Sequence, residues 1–270
     1  MNNLLGINSD CIKDGVKTQP ETQTLNLIKE IGFNCFFTSL FHENEVEELK
    51  NKADKLGLKL TYIHAPFKGV NTLWEEGADY EFIYNNLITT IDSASKNAVP
   101  TIVMHVSSTW RPPKISQIGL NRFDALVNYA VKKGVNIAFE NLRLKEYLDV
   151  VMSRYKSLKN VGFCYDFGHE SCFDGCKNLY LPEYGERLIA THIHDNHGRT
   201  VIDDTIKDDK HYLPLDGDID YKTIFTTLKT IGYKGPLTLE VTTNTHPNYK
   251  KLRAKEFLTL ALSRLKSIIE

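Results

Sequence analysis

Short runs rich in β-branched and aromatic residues alternate with longer amphipathic runs along the whole chain, eight times over. No other feature restricts the fold as much, because such alternation buries its apolar faces most economically around a parallel sheet. Strands are expected at residues 4–9 (LLGINS), 35–40 (CFFTSL), 59–65 (KLTYIHA), 101–107 (TIVMHVS), 136–142 (NIAFENL), 161–167 (VGFCYDF), 189–195 (IATHIHD) and 236–241 (PLTLEV). Between them, segments such as ENEVEELKNKADKLG put Val46, Leu49, Ala53 and Leu56 on one helix face, with Gly57 placed for a left-handed cap. Gly134 and Gly232 close other helices in the same way, and residues 249–270 read as one final amphipathic helix.

A chain of 270 residues without a Pro/Gly/Ser-rich linker suits a single domain, residues 1–270, folded as a closed (β/α)8 barrel. An open doubly wound sheet competes, but no glycine-rich phosphate loop follows the first strand. Residues 197–219 form the one long excursion, of a length that usually marks a functional loop.

Charge excludes little. The 33 basic and 34 acidic residues nearly cancel, so the total demands neither nucleic acid nor a membrane as partner. The opening MNNLLGINSD lacks the apolar core of a signal peptide, and no apolar run reaches the length of a membrane helix. The five cysteines form no CxxC pair, and the expectation is reduced thiols in the cytoplasm. Cys172 and Cys176 could assist a metal, although their spacing is not the usual one for thiolate ligands.

The strand ends carry the chemistry. In a barrel, functional side chains come from the C-terminal ends of the strands. There the chain places His64 (third), His105 (fourth), Glu140 (fifth), Asp166 (sixth, with His169 three residues on), His192 and His194 (seventh) and Glu240 (eighth). Taken singly, a histidine at a strand end is most often structural and a glutamate there most often solvated. Taken together, Glu140, Asp166 and Glu240 would repel one another at one barrel mouth unless a divalent cation joined them. Carboxylate oxygen with imidazole nitrogen suits Zn²⁺, Mn²⁺, Co²⁺ or Fe²⁺ better than Ca²⁺.

With these residues in view, the chain resembles the xylose isomerase-like TIM barrels, a superfamily of sugar and sugar phosphate isomerases and epimerases that also contains endonuclease IV. The resemblance implies a metal held by Glu140, Asp166, His192 and Glu240. His192 is preferred to His194 because His192-Ile193-His194-Asp195 satisfies the family's His-x-x-Asp pattern from its first member. Resemblance to the ketose 3-epimerases implies that Glu146 and His169 contact substrate hydroxyls. Resemblance to endonuclease IV implies further metals on His64, His105, His169, Asp209 and His211. Two departures from that enzyme stand out: His105-Val106-Ser107 replaces a His-Pro-Gly segment, and NLRLKEYL replaces a Gly-rich one.

The leading expectation is therefore a metal-dependent isomerase or epimerase of a small sugar, sugar phosphate or cyclitol, working through an enediolate. Glu140 and Glu240 would exchange the proton, and the 197–219 segment would close over substrate contacted by His64, His105, Glu146, His169, His194 and His211. The alternative is a phosphoesterase with two or three metal ions, in which nucleic acid would be a less expected substrate. A sugar-binding barrel without turnover is a third class, disfavoured by the pair of glutamates.

Overall fold

The computed structural model describes residues 3–270 except Val16 and Cys176. Eight parallel strands form the sheet: β1 (Leu5–Asn8), β2 (Cys35–Thr38), β3 (Lys59–His64), β4 (Thr101–Met104), β5 (Asn136–Glu140), β6 (Val161–Asp166), β7 (Leu188–His192) and β8 (Leu237–Leu239). Each strand pairs with the next in sequence, and β8 pairs with β1 through Leu5 opposite Leu237. Ile193, just past β7, closes the ring: its N–H donates to Thr238 O (2.8 Å) and its carbonyl accepts from Glu240 N (3.0 Å). The result is a (β/α)8 barrel.

The helices are α1 (Glu21–Ile31), α2 (Glu43–Leu56), α3 (Glu81–Lys96), α4 (Gln117–Lys133), α5 (Lys145–Arg154), α6 (Phe167–Asp174), the one-turn α7 (Tyr180–Tyr184), α8 (Tyr221–Thr230) and α9 (Ala254–Ile269). In α2 the stripe Val46, Leu49 and Ala53 is buried against the sheet layer, while Leu56 is only partly covered. Gly57 and Gly134 adopt the left-handed conformation that ends α2 and α4, and Gly232 does so two residues beyond α8.

Every strand is shorter than the sequence expectation, and three differences matter most. β4 stops at Met104, so His105 stands one residue past its strand, and β7 stops at His192, so His194 stands in the segment beyond. The strands of a barrel end where the loops diverge and the ladder loses its partners. Residues 249–270 are not one helix. A short 3₁₀ turn, Tyr249–Lys251, is followed by extended backbone at Leu252 and Arg253. There Glu256 Oε2 accepts from Arg253 N (2.9 Å) and starts α9 afresh.

Inside the barrel the strand pleat sets up the site. Phe37, Tyr62, Val103, Ala138, Cys164 and Ala190 form one inward-facing cluster. Two residues on from five of these, on the same strand face, come His64, His105, Glu140, Asp166 and His192. Small Ala138, Cys164 and Ala190 on one wall leave room for Phe37 and Tyr62, which stack at 4.8 Å. Tyr62 OH donates to Thr191 O (2.9 Å) and lies 2.6 Å from Thr238 Oγ1, tying the floor across the barrel.

Candidate functional site

The side chains two residues above that floor meet at the barrel mouth. Glu140, at the end of β5, is 1% exposed and ringed by imidazoles. His192 Nδ1 and His169 Nδ1 each lie 3.2 Å from its Oε1, while His105 Nε2 (3.0 Å) and His64 Nε2 (3.5 Å) approach Oε2. Oε2 nevertheless receives no aligned hydrogen bond. Asp166 caps α6 by accepting from His169 N (2.7 Å), and its carboxylate meets His194 Nε2 at 3.1 Å. Glu240 stays partly open to solvent, with Oε2 at 3.5 Å from His192 Nδ1 and 3.7 Å from His211 Nδ1.

Glu140, Asp166, His192 and Glu240 each present one ligand atom, all within 4.8 Å of one another. A second gathering lies beside the first. Asp209 Oδ2 is 3.3 Å from both His169 Nε2 and His211 Nε2, and the rings of His194 and His211 stack at 3.9 Å. His194, Asp209 and His211 satisfy the same ligand criterion, as do Asp166, His169 and His194. His192 therefore sits with the three carboxylates, and His194, one pleat further, with the outer group. Ile193 between them is locked to the eighth strand, which sets both rings relative to Glu240.

The electrostatics are those of a charged cluster kept from water. Burial works against ionised Glu140, but His192 and His105 outweigh it and hold the carboxyl well below the ordinary range. Asp209 is likewise depressed against its burial by His211 and His169. Burial lowers His105 in spite of Glu140, whereas Asp166 and Asp209 overcome burial to raise His169 well above the usual imidazole value. The atoms Glu140 Oε2, His192 Nε2, His194 Nδ1 and Asp209 Oδ1 are buried without a hydrogen-bond partner. Orphaned atoms of this kind, on oxygen and imidazole donors alone, fit a divalent cation.

Not every sequence candidate joins the cluster. Glu146 is exposed on the first turn of α5, and among the described residues no contact links it to the others. His197 pairs outward with Asp218 at 2.9 Å. Cys172 is a buried thiol raised by desolvation that contacts His169 O rather than the cluster, and Cys176 lies outside the described residues.

Other residues carry structural duties that sequence reasoning passed over. Asn141, next to Glu140 in AFEN, is fully buried and reciprocally bonded to Asp166: its Oδ1 accepts from Asp166 N (2.7 Å) and its Nδ2 donates to Asp166 O (2.8 Å). The pair holds the ends of β5 and β6 together. Asp195 accepts from Asn196 N (2.9 Å), Leu215 N (2.9 Å) and Ile219 N (3.3 Å), tying the far end of the long 197–219 segment back to the residues just before it. Phe67 is 47% exposed and stacks on His105 at 4.4 Å, an apolar wall of the mouth that no sequence signal marked. Among the described residues no helix is long and apolar enough to cross a membrane.

Comparison with known proteins agrees with this architecture. The chain is 29% identical over 261 residues to the uncharacterized protein y4fM of Sinorhizobium fredii, covering 80% of this chain and 79% of that one. Its fold is similar to that of D-allulose 3-epimerase from Methylomonas sp., solved with D-allulose (TM-score 0.73, 16% identity, 98% and 97% of the two chains). It is also similar to the 3-keto-D-glucoside 4-epimerase YcjR of E. coli (TM-score 0.70, 17% identity, 98% and 99%). At such identity these two likenesses speak for the fold. The sequence model of the xylose isomerase-like TIM barrels matches residues 25–259. With that span covering most of the chain and eight parallel strands closing the barrel, the protein belongs to the xylose isomerase-like TIM barrel family.

Proposed function

We propose that the protein is a divalent-metal-dependent isomerase or epimerase of a small sugar or sugar derivative. The observation that carries this reading is the convergence of Glu140, Asp166, His192 and Glu240 within 4.8 Å at the barrel mouth, with Glu240 alone of the four partly open to solvent. Sugar epimerases among the solved structures of like fold support the same class. A cation held by those four residues would chelate a carbonyl and its neighbouring hydroxyl, making the adjacent C–H more acidic.

The protein's own groups then divide the work. Glu240, partly exposed and free of hydrogen bonds to its carboxylate among the described residues, is placed to take the substrate proton. An isomerase would return it from the same carboxyl, whereas inversion by an epimerase needs delivery to the opposite face, the role left to Glu140. Glu140 is enclosed by four imidazoles that hold its carboxyl below the ordinary range, and it also helps to hold the cluster together. Phe67 and the 197–219 segment narrow the mouth and keep bulk water out.

The test is solvent exchange. Metal-loaded protein incubated in D₂O with ketohexoses, ketopentoses, inososes and their phosphorylated and keto acid derivatives should place deuterium at the carbon that reacts. Turnover without deuterium would remove the proton-transfer mechanism, and no turnover on any of them would remove the isomerase reading.

One observation favours a second reading. His64 and His105 face the far oxygen of Glu140, and His169, Asp209 and His211 form their own group. Additional cations there would suit hydrolysis of a phosphate ester. Metal counting separates the two, since one equivalent per chain favours the isomerase and two or three favour the hydrolase.

A further inference from the structure

A cavity of about 250 Å³ opens beside the cluster, on the side of Asp209, and is walled by the loops after β4 and β5, by α6 and by the long segment. It is smaller than the roughly 300–1,000 Å³ of sites that engulf a whole ligand, and it suits one substituent of a molecule anchored next door. Its walls carry Arg143, Arg199 and Lys207.

Arg143 is the unusual member. Its guanidinium lies over the Phe173 ring at 4.5 Å, and its Nε is buried without a hydrogen bond. The nearest carboxylate oxygen, Asp204 Oδ1, stands 3.8 Å from that Nε. Arg199 is held in place, with its guanidinium 5.1 Å from the Trp110 ring and Nη1 donating to Phe173 O at 3.1 Å. Three acidic residues also line the cavity, and each is engaged elsewhere. Asp204 Oδ1 accepts from Trp110 N (2.8 Å), Asp208 accepts from Thr200 N (2.9 Å), and Asp209 faces His169 and His211. Each carboxylate thus has at least one hydrogen-bond or imidazole partner, whereas among the described residues the Arg143 guanidinium has only the distant ion pair with Asp204 and no hydrogen bond. A planar, permanently charged fork stacked on an aromatic ring and left without a hydrogen bond is built for bidentate contact with an anion.

We propose that this cavity is the subsite for an anionic substituent of the substrate, a phosphate ester or a carboxylate, gripped by Arg143 with Arg199 and Lys207 adding charge. The inference rests on the sugar isomerase reading and narrows its substrate to an anionic sugar derivative. The reacting carbons lie toward Glu240, and the anion lies across Asp209 from them.

Isothermal titration on the metal-loaded full chain tests it, with D-fructose, D-fructose 6-phosphate and 5-keto-D-gluconate as probes. One of the two anions should bind at least about tenfold tighter than D-fructose, the size expected of a charge-assisted contact. Whichever anion wins identifies phosphate or carboxylate. Arg143→Gln should erase that preference with the metal content per chain unchanged, and Arg143→Lys should restore part of it. Equal binding of all three probes by the parent, no binding of any, or a preference that survives Arg143→Gln would each overturn the inference. If Arg143→Gln does not fold, Arg199→Gln takes its place, and a preference it leaves untouched overturns the proposal as well. Failure of the underlying reading looks different. Arg143-dependent anion binding with phosphate release and no isomerisation sinks the isomerase and keeps the subsite. Deuterium exchange into neutral ketoses without anion preference does the reverse.

Discussion

Gly168 lies so close to the His194 ring that a Cβ added there would fall 1.8 Å from His194 Cε1. His194 in turn sits 3.1 Å from Asp166 Oδ1, so the absence of a side chain in the first turn of α6 is what lets the imidazole reach the carboxylate. Gly168→Ala should push His194 off Asp166 and weaken metal binding by about 10–100-fold, the usual effect of disturbing a ligand's support. Competition against a chromogenic chelator measures this. Unchanged affinity would mean that His194 has no part in holding the metal.

Removal of the clamp on the long segment is the next case. Asp195 is fully buried and accepts three backbone N–H groups, Asn196 N just before that segment and Leu215 N and Ile219 N near its end. Asp195→Ala leaves those donors unanswered and should cost about 1–3 kcal/mol for each one that water cannot reach. The melting temperature should fall, and limited proteolysis should cut between residues 197 and 219 first. Cleavage elsewhere, at the parental rate, would show that other contacts hold the segment.

His105→Ala distinguishes one metal from several. In the isomerase reading the mutant should keep one full metal equivalent with slowed turnover, because Glu140, Asp166, His192 and Glu240 are intact. Elemental analysis after dialysis reads the outcome, and loss of a whole equivalent relative to the parent would favour the multi-metal hydrolase.

The metal-free cluster should be a proton store. Against the cost of burial, Asp209 and Glu240 raise His211 from 6.5 to about 10, so near pH 7 its ring is protonated. A divalent cation at the neighbouring four-residue site repels that charge, hence metal binding should release protons and strengthen as pH rises from 7 toward 10. The sign for stability is opposite. A raised imidazole contributes fully below about 6.5, and its contribution fades as pH climbs through about 10. Metal-free protein should therefore lose stability over that window while metal-loaded protein does not. Proton uptake on metal addition, followed in weakly buffered solution, would contradict this assignment.

Much of this molecule was legible in order along the chain. Eight strand-like runs alternating with amphipathic helices announce the barrel. The two-residue pleat then guarantees that Glu140 shares a face with Ala138, Asp166 with Cys164, and His192 with Ala190, so the convergence of these groups needed only local geometry. Beyond the last ladder hydrogen bond that guarantee lapses. His105 and His194 stand past their strands, Glu146 turns outward on α5, and the duties of Asn141, Asp195 and Arg143 come from partners 25, 20 and 61 residues away: Asp166, Leu215 and Asp204. Contacts of that range depend on where whole loops come to rest. The barrel and the ring of carboxylates and imidazoles at its mouth thus follow from the order of residues along the chain; which histidine faces which carboxylate, which glutamate meets solvent, and where an arginine is left without a hydrogen bond follow only from the folded loops, because side-chain direction outside the sheet is set by packing between loops rather than by any repeat along the chain.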